Sequence, residues 1–342
     1  MTGSELRAGI VGFGLAGSVF HAPLVDAVEG LSVAAIVTSD AERQRQARAA
    51  YPGATVAAGI EELWGEVDLV VVATPNRTHV PIALAALERE LPVVVDKPLA
   101  PNTADAERLL AAGGRLTVFQ NRRFDGDFLT VEGLVEAGRL GEVLRLESRF
   151  ERFRPEVSGH SWRELPDPEE GGGLLLDLGA HLVDQACVLL GPPLRVYAEI
   201  EARRPNARVE DDAFVALEHP GGVRAHLWMS STAALPGPRL RVLGLEAAVE
   251  TLGLDPQEAQ LKEGRRPGDP GYGSGGCGRY ADASGVRELE LEPGAYGRFY
   301  EGVRAWLRDG APAPVDPRDS LTGLRVLEAA RQSAATGSVV SL

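Results

Sequence analysis

Through the first 120 positions, apolar residues come in short blocks separated by amphipathic or charged stretches. Arg7–Val11, Leu31–Val37, Asp68–Ala73, Pro92–Val95 and Leu116–Phe119 are such blocks, four to seven residues long. Asp68–Ala73 is almost wholly apolar, the pattern of a parallel strand covered on both faces. The intervening segments 16–29, 41–50, 80–90 and 103–112 read as helices, with Leu24, Val25 and Val28 on one side of the first. Strand–helix alternation implies right-handed crossovers and a doubly wound parallel sheet.

Beyond Phe124 the pattern changes. Helical segments are expected at 127–137 and 174–190, and strands at 143–153, 195–204, 213–218, 223–230 and 240–245. His219-Pro220-Gly221-Gly222 reads as a hairpin turn. Strands joined by turns imply an antiparallel sheet. An amphipathic helix is expected at 321–335, and the Gly- and Pro-rich stretch 264–278 reads as an exposed loop. The fold class is therefore α/β. The boundary falls near residue 121, between a parallel-sheet domain over 1–121 and a second α/β domain over 122–342.

The length of 342 residues agrees with about two domains. Hydrophobic residues are 44% and charged residues 25% of the chain, which excludes a disordered polymer. The net charge of −14 disfavours nucleic acid and anionic membrane as partners. Two cysteines, Cys187 and Cys277, cannot build a disulfide framework or a four-ligand zinc site, and no metal is expected. No apolar run approaches the ~20 residues of a membrane span, and Gly12 and Gly14 interrupt the first apolar stretch at once. A cytoplasmic protein is the expectation.

Gly12-Phe13-Gly14-Leu15-Ala16-Gly17 fits G-x-G-x-x-G between a strand and a helix. Gly12 allows the tight turn, Gly14 lets the backbone approach a pyrophosphate, and Gly17 lets helix and strand pack closely. The helix N-terminus offers free N–H groups to phosphate. At the end of the second strand stands Thr38-Ser39-Asp40. A neutral Thr38, the Ser39 hydroxyl and a nearby Arg43 or Arg45 suit a 2′-phosphate. Asp40 argues for NAD, unless it caps the following helix. The cofactor reading is NAD(P), inclined to NADP.

Lys97, in Asp96-Lys97-Pro98, follows a buried strand, where ligands bind in open parallel sheets. Lysine is scarce in this Arg-rich chain, which favours a functional reading. Asp177 and His181 are four residues apart in an apolar segment. That spacing brings them to one helical face, where they can move a proton or form a structural pair. His79 follows Thr74-Pro75-Asn76 at a strand end, either over the crevice or as a helix-start residue held by backbone. His160, Trp162 and Arg163 cluster before the Asp177 helix and can line a polar pocket.

These residues resemble the Gfo/Idh/MocA oxidoreductases. The matches are Gly12–Gly17 with Phe20-His21-Ala22-Pro23, Ala73–Asn76 with His79, Asp96-Lys97-Pro98, Gln120-Asn121-Arg122-Arg123-Phe124-Asp125, and the Asp177/His181 segment. Asp-Lys-Pro in place of Glu-Lys-Pro is similar to the NADP-dependent scyllo-inositol dehydrogenase branch, as are His160–Arg163 and Gly253–Gln257. The resemblance implies catalytic roles for Lys97, Asp177 and His181, and a peptide before Pro98 that is often cis. It implies cofactor contacts from Gly12–Gly17, Thr38, Ser39, Arg43, Thr74, Pro75, Asn76, His79, Asp96, Lys97, Gln120, Asn121 and Arg123. Substrate contacts are expected from Lys97, Arg122, His160, Trp162, Asp177 and His181. The expected reaction is hydride transfer between nicotinamide and a secondary alcohol of a cyclic polyol or sugar. NAD-dependent glycoside hydrolysis and a non-catalytic regulator are the alternatives the family offers. The resemblance further implies an N-terminal Rossmann domain followed by an α/β domain with a large open, mostly antiparallel sheet, a homodimer or homotetramer through that sheet, and a last helix packing back on the first domain.

Overall fold

The computed structural model describes residues 5–157, 164, 166 and 171–342. His160, Trp162 and Arg163 lie outside the described residues.

The apolar blocks become β1 (Leu6–Val11), β2 (Leu31–Val37), β4 (Leu69–Val72), β5 (Val93–Asp96) and β6 (Leu116–Phe119). They pair in parallel, in the order β3-β2-β1-β4-β5-β6, with β3 (Thr55–Ala57) at the edge. β4 is buried along its whole length, as its uniform Leu-Val-Val-Val sequence requires. β3 is too short for its period to stand out, and the sequence reading missed it.

The glycine turn explains its own sequence. Gly12 has φ +98°, and a Cβ there would lie 2.5 Å from the Ala73 carbonyl oxygen at the end of β4. A Cβ on Gly17 would lie 1.9 Å from the Gly12 carbonyl oxygen. Only glycine lets the helix start this close to β1. That helix opens with a π-helical turn, Ala16–His21, and continues as α1 (Ala22–Asp26). It therefore ends before Glu29, while Leu24, Val25 and Val28 are buried as the pattern demanded. Asp40 caps α2 (Ala41–Ala50), its carboxylate accepting from the Arg43 N–H at 2.9 Å.

Among the described residues the second sheet has nine strands, in the order β14 (Gly285–Leu289), β13 (Cys277–Asp282), β12 (Ala247–Leu252), β11 (Leu240–Gly244), β7 (Val143–Glu151), β10 (Arg224–Ser230), β9 (Asp212–Glu218), β8 (Arg195–Glu201) and β15 (Val340–Ser341). It is mostly antiparallel, but β7 (Val143–Glu151) and β10 (Arg224–Ser230) run parallel. The sheet is mostly antiparallel as the resemblance implied, and this pair is its parallel exception. The chain reaches β10 only after crossing through α6 (Ala180–Leu190), β8 (Arg195–Glu201) and β9 (Asp212–Glu218), and a crossover permits parallel entry. The His219–Gly222 turn joins β9 to β10 as read, with Gly221 and Gly222 at positive φ.

Helix α9 (Pro317–Thr336) ties the two sheets together. It packs on β8 and α6 and also on α4 (Thr103–Ala112) and β6. The Glu328 carboxylate accepts from the Thr103 N–H at 2.7 Å.

Candidate active site

The carboxyl ends of β1, β2, β4 and β5 open into a cleft of about 590 Å³. Gly12, Phe13, Gly14, Leu15 and Ala16 form one wall; Thr38, Ser39 and Arg43 form its far end; Thr74, Pro75, Asn76, Asp96 and Lys97 form the other wall. A Cβ on Gly14 would meet nothing closer than the Arg43 guanidinium, at 3.6 Å. The glycine backbone is thus open to a phosphate while Gly12 and Gly17 are closed against protein. This cradle fits a dinucleotide, with the pyrophosphate on the N–H groups of the turn. Arg43 then lies at the ribose end, and the Asp40 carboxylate is engaged by its helix cap.

A second pocket of about 290 Å³ meets the cleft. Leu15, Ala16, Asp96, Lys97 and Asp177 line both. Lys97 donates to Asp177 Oδ1 at 2.9 Å and to the Asp177 carbonyl oxygen at 2.8 Å. The Lys97–Pro98 peptide is cis. Asp177 lies in a second π-helical turn, Leu175–Gly179, which opens α6. Single π turns are frequent at functional sites. Here two of them flank the junction of the pockets.

His181 is 5% exposed and lines the second pocket. Its Nδ1 is buried and has no hydrogen-bond partner among the described residues. Burial first, then the charges of Lys97 and Arg122, hold the imidazole well below the usual histidine range. His181 is therefore neutral near pH 7, an acceptor for a proton. The Asp177 carboxylate is taken by Lys97; among the described residues no hydrogen bond joins it to His181, while its charge still acts on the imidazole.

Not every expected cofactor residue lines the cleft. His79 is buried beneath it, with Nδ1 2.8 Å from the Pro98 carbonyl oxygen and Nε2 2.9 Å from that of Thr74. It rivets the two loops that carry Asn76 and Lys97. Gly17 is a packing residue, as described above. Gln120 is buried away from the cleft, and Asn121 lines the second pocket instead. Arg123 binds Asp184 at 2.6 Å and Asp319 at 3.0 Å, joining α6 to α9. Consecutive arginines in the sequence give no hint of this divergence. Arg122, by contrast, reaches the second pocket, where it donates to the Tyr296 hydroxyl oxygen and to the Glu258 carboxylate, each at 2.8 Å.

Sequence reasoning missed Asp96's partner His21. His21 is fully buried, 2.6 Å from the Tyr300 hydroxyl through Nδ1 and 3.6 Å from Asp96 Oδ1 through Nε2. It also missed Arg152, Arg154, Glu258 and Lys262, which line the second pocket. Only the Gly253–Gln257 match pointed near the last two.

Two family models cover most of the chain. Residues 6–118 match the Gfo/Idh/MocA oxidoreductase family NAD-binding Rossmann fold, and residues 132–342 match its C-terminal alpha/beta domain. The chain belongs to the Gfo/Idh/MocA oxidoreductase family. It is similar to the uncharacterized oxidoreductase YdgJ of Escherichia coli K12, at 37% identity over 96% of each chain. It is 33% identical to scyllo-inositol 2-dehydrogenase (NADP(+)) IolW of Bacillus subtilis, over 96% of this chain and 93% of that one. Among solved structures, Bacillus subtilis yvaA superposes with a TM-score of 0.94 at 31% identity, covering 100% of this chain and 99% of that one. An oxidoreductase from Bacillus cereus superposes with a TM-score of 0.87 at 30% identity, covering 98% of each. The family's NAD-binding Rossmann domain and its relatives make this chain an oxidoreductase of the NAD(P)-dependent dehydrogenase kind. Among the described residues, no helix is long and apolar enough to cross a membrane.

Proposed function

We propose that this protein transfers a hydride between a nicotinamide cofactor and a secondary alcohol of a cyclic polyol or sugar. The observation that carries this reading is the shared wall of the two pockets, where the Lys97 ammonium stands between the dinucleotide cleft and the chamber lined by His181. The bound dinucleotide supplies the hydride acceptor or donor. Lys97 hydrogen-bonds the carbinol oxygen and stabilises its developing negative charge. His181, neutral and lacking a partner on Nδ1, takes the hydroxyl proton. Asp177 holds the ammonium in place. A chamber of about 290 Å³ lies at the small end of ligand pockets, the scale of a single ring.

Within this reading NADP is preferred over NAD. Arg43 and the Thr38 and Ser39 hydroxyls border the ribose end, and the nearest carboxylate is engaged in a cap. The relative named as an NADP(+) enzyme supports the same choice. The nine-stranded sheet presents a face on which Phe214 and His226 pack against Trp228, and Arg149 lies over the Trp228 ring. This face is where a homo-oligomer forms, and the protein works in the cytoplasm on a small-molecule substrate.

The test is a panel of polyols and sugars incubated with each cofactor, followed at the reduced-nicotinamide absorbance band. Turnover with at least one polyol or sugar, faster with NADP, is expected. A tightly retained dinucleotide with release of an aglycone and no net redox change would replace this reading with glycoside hydrolysis.

A further inference from the structure

The second pocket is more basic than a neutral polyol requires. Lys97, Arg122, Arg152, Arg154 and Lys262 line it. Its carboxylates are Asp96, Asp177 and Glu258. Each of the three is already engaged. Asp177 holds Lys97 at 2.9 Å. Glu258 is shared by Arg122 at 2.8 Å and Lys262 at 2.7 Å. Asp96 accepts from the Lys97 N–H and faces His21. Arg152 and Arg154 have no carboxylate partner among the described residues. The neighbouring Arg204 shows the contrast: it lines the adjoining chamber and binds Asp211 at 2.8 Å and Glu164 at 3.3 Å.

The backbone holds these two guanidinium groups on one side. Arg152 N–H donates to the Ser230 carbonyl at 2.8 Å, and Arg154 N–H donates to the Ser231 carbonyl at 2.7 Å. Phe153 bridges to Thr232 between them. In extended chain, alternate side chains share a face. Arg152 and Arg154 accordingly line the same two chambers, and Phe153 points away and is 59% exposed. Arg152 is further fixed by stacking on Phe150, 4.6 Å from the ring centroid. The adjoining chamber adds about 180 Å³ beside Asp177; of its other carboxylates, Glu164 and Asp211 bind Arg204, Glu210 binds Arg331, and Glu156 has no ion-pair partner among the described residues. Two cations brought together in a protein of net charge −14, on a rigid extension of β7, mark an anion seat.

The geometry points to a substrate whose ring carries an anionic substituent, a carboxylate or a phosphate, seated on Arg152 and Arg154 while its carbinol lies at Lys97 and His181. This rests on the proposed dehydrogenase reading for the carbinol end and extends it to the far end of the substrate. The substituent's charge steers the molecule into the pocket and fixes which hydroxyl meets Lys97.

The test uses a matched series of glucose, glucuronate and glucose 6-phosphate. Each is titrated into the protein saturated with NADPH by calorimetry, and each is assayed for turnover with NADP. The proteins are the wild type, R152Q, R154Q and the double variant. A charged member binds the wild type more tightly than glucose, and raising salt weakens that preference. Each substitution lowers the charged-to-neutral affinity ratio by about tenfold, the size of one charge-assisted hydrogen bond. Whichever of the carboxylate and the phosphate is preferred identifies the substituent. Equal binding of all three sugars, or a ratio unchanged in the double variant, overturns the inference. The calorimetry separates the two readings. Charge-selective binding without turnover of any member leaves the anion seat standing and removes the dehydrogenase reading for this series. Turnover of glucose with no charge selectivity does the reverse.

Discussion

Lys97 and Asp177 are 80 residues apart in the chain, yet the ammonium sits 2.9 Å from the carboxylate and 2.8 Å from the same residue's carbonyl oxygen. One comes from the end of β5, the other from a π turn opening α6. Their pairing brings the dinucleotide sheet and the second sheet to a common edge, and it sets the position of the cation at which the carbinol oxygen is expected.

Replacing Lys97 by Ala removes that cation while leaving the glycine cradle intact. Turnover should fall by about a hundred- to ten-thousand-fold. Dinucleotide affinity, measured by fluorescence titration, should change little. A variant with near-normal turnover would end the assigned role.

The protonation of His181 gives a pH signature. Its folded-state value is depressed, by burial and then by Lys97 and Arg122. The working neutral form should persist below the ordinary histidine value of ~6.5. The acid limb of kcat/KM for alcohol oxidation is therefore displaced to the acid side of that value, and His181→Asn abolishes it along with most activity. The same depression has a stability consequence. Below ~6.5 the unfolded chain takes up a proton that the folded chain does not, so stability falls with acidification from that point until the folded-state value is passed. A wild-type acid limb centred at or above ~6.5 and lost in the variant contradicts this environment.

Cofactor choice rests on the ribose end of the cleft. Ser39→Asp places a carboxylate where a 2′-phosphate would lie, and Arg43→Ala removes the neighbouring cation. Each should shift the ratio of kcat/KM for NADP against NAD by about tenfold or more toward NAD, as like charges are opposed or an ion pair is lost. An unchanged ratio in both variants shows that the ribose is read elsewhere.

Gly17→Ala tests the packing of the cradle. The added methyl would lie 1.9 Å from the Gly12 carbonyl oxygen, a backbone atom that cannot rotate away. The variant should lose about 1–3 kcal/mol of stability or more in denaturant titration, and dinucleotide affinity should drop with it. Gly14→Ala, where the added methyl meets only the Arg43 guanidinium at van der Waals distance, should leave stability nearly unchanged while weakening the dinucleotide.

Much of the fold was legible because its signals are local. The blocks at β4 and β5 are apolar on both faces, and such strands belong inside a parallel sheet. The glycine spacing names its own geometry, since each glycine answers a contact within a few residues or with the adjacent strand. Asp40 was ambiguous in the sequence because a cap and a ribose contact ask for the same side chain; the structure shows the cap, with the Arg43 N–H on its carboxylate. Strands β12 (Ala247–Leu252), β13 (Cys277–Asp282) and β14 (Gly285–Leu289) were not read, since β14 is largely exposed and carries no clear alternation.

The sequence by itself determined the parallel dinucleotide sheet, the phosphate cradle and the segments that carry Lys97, Asp177 and His181. These follow from periods of two and 3.6 and from glycine sterics, which act between near neighbours. Only the tertiary structure decided which charges meet. It paired Lys97 with Asp177, sent Arg123 to Asp184 and Asp319, and left Arg152 and Arg154 facing an open chamber. Partner choice among charges depends on distances across the whole fold and on which carboxylates are already engaged, and no local pattern encodes either.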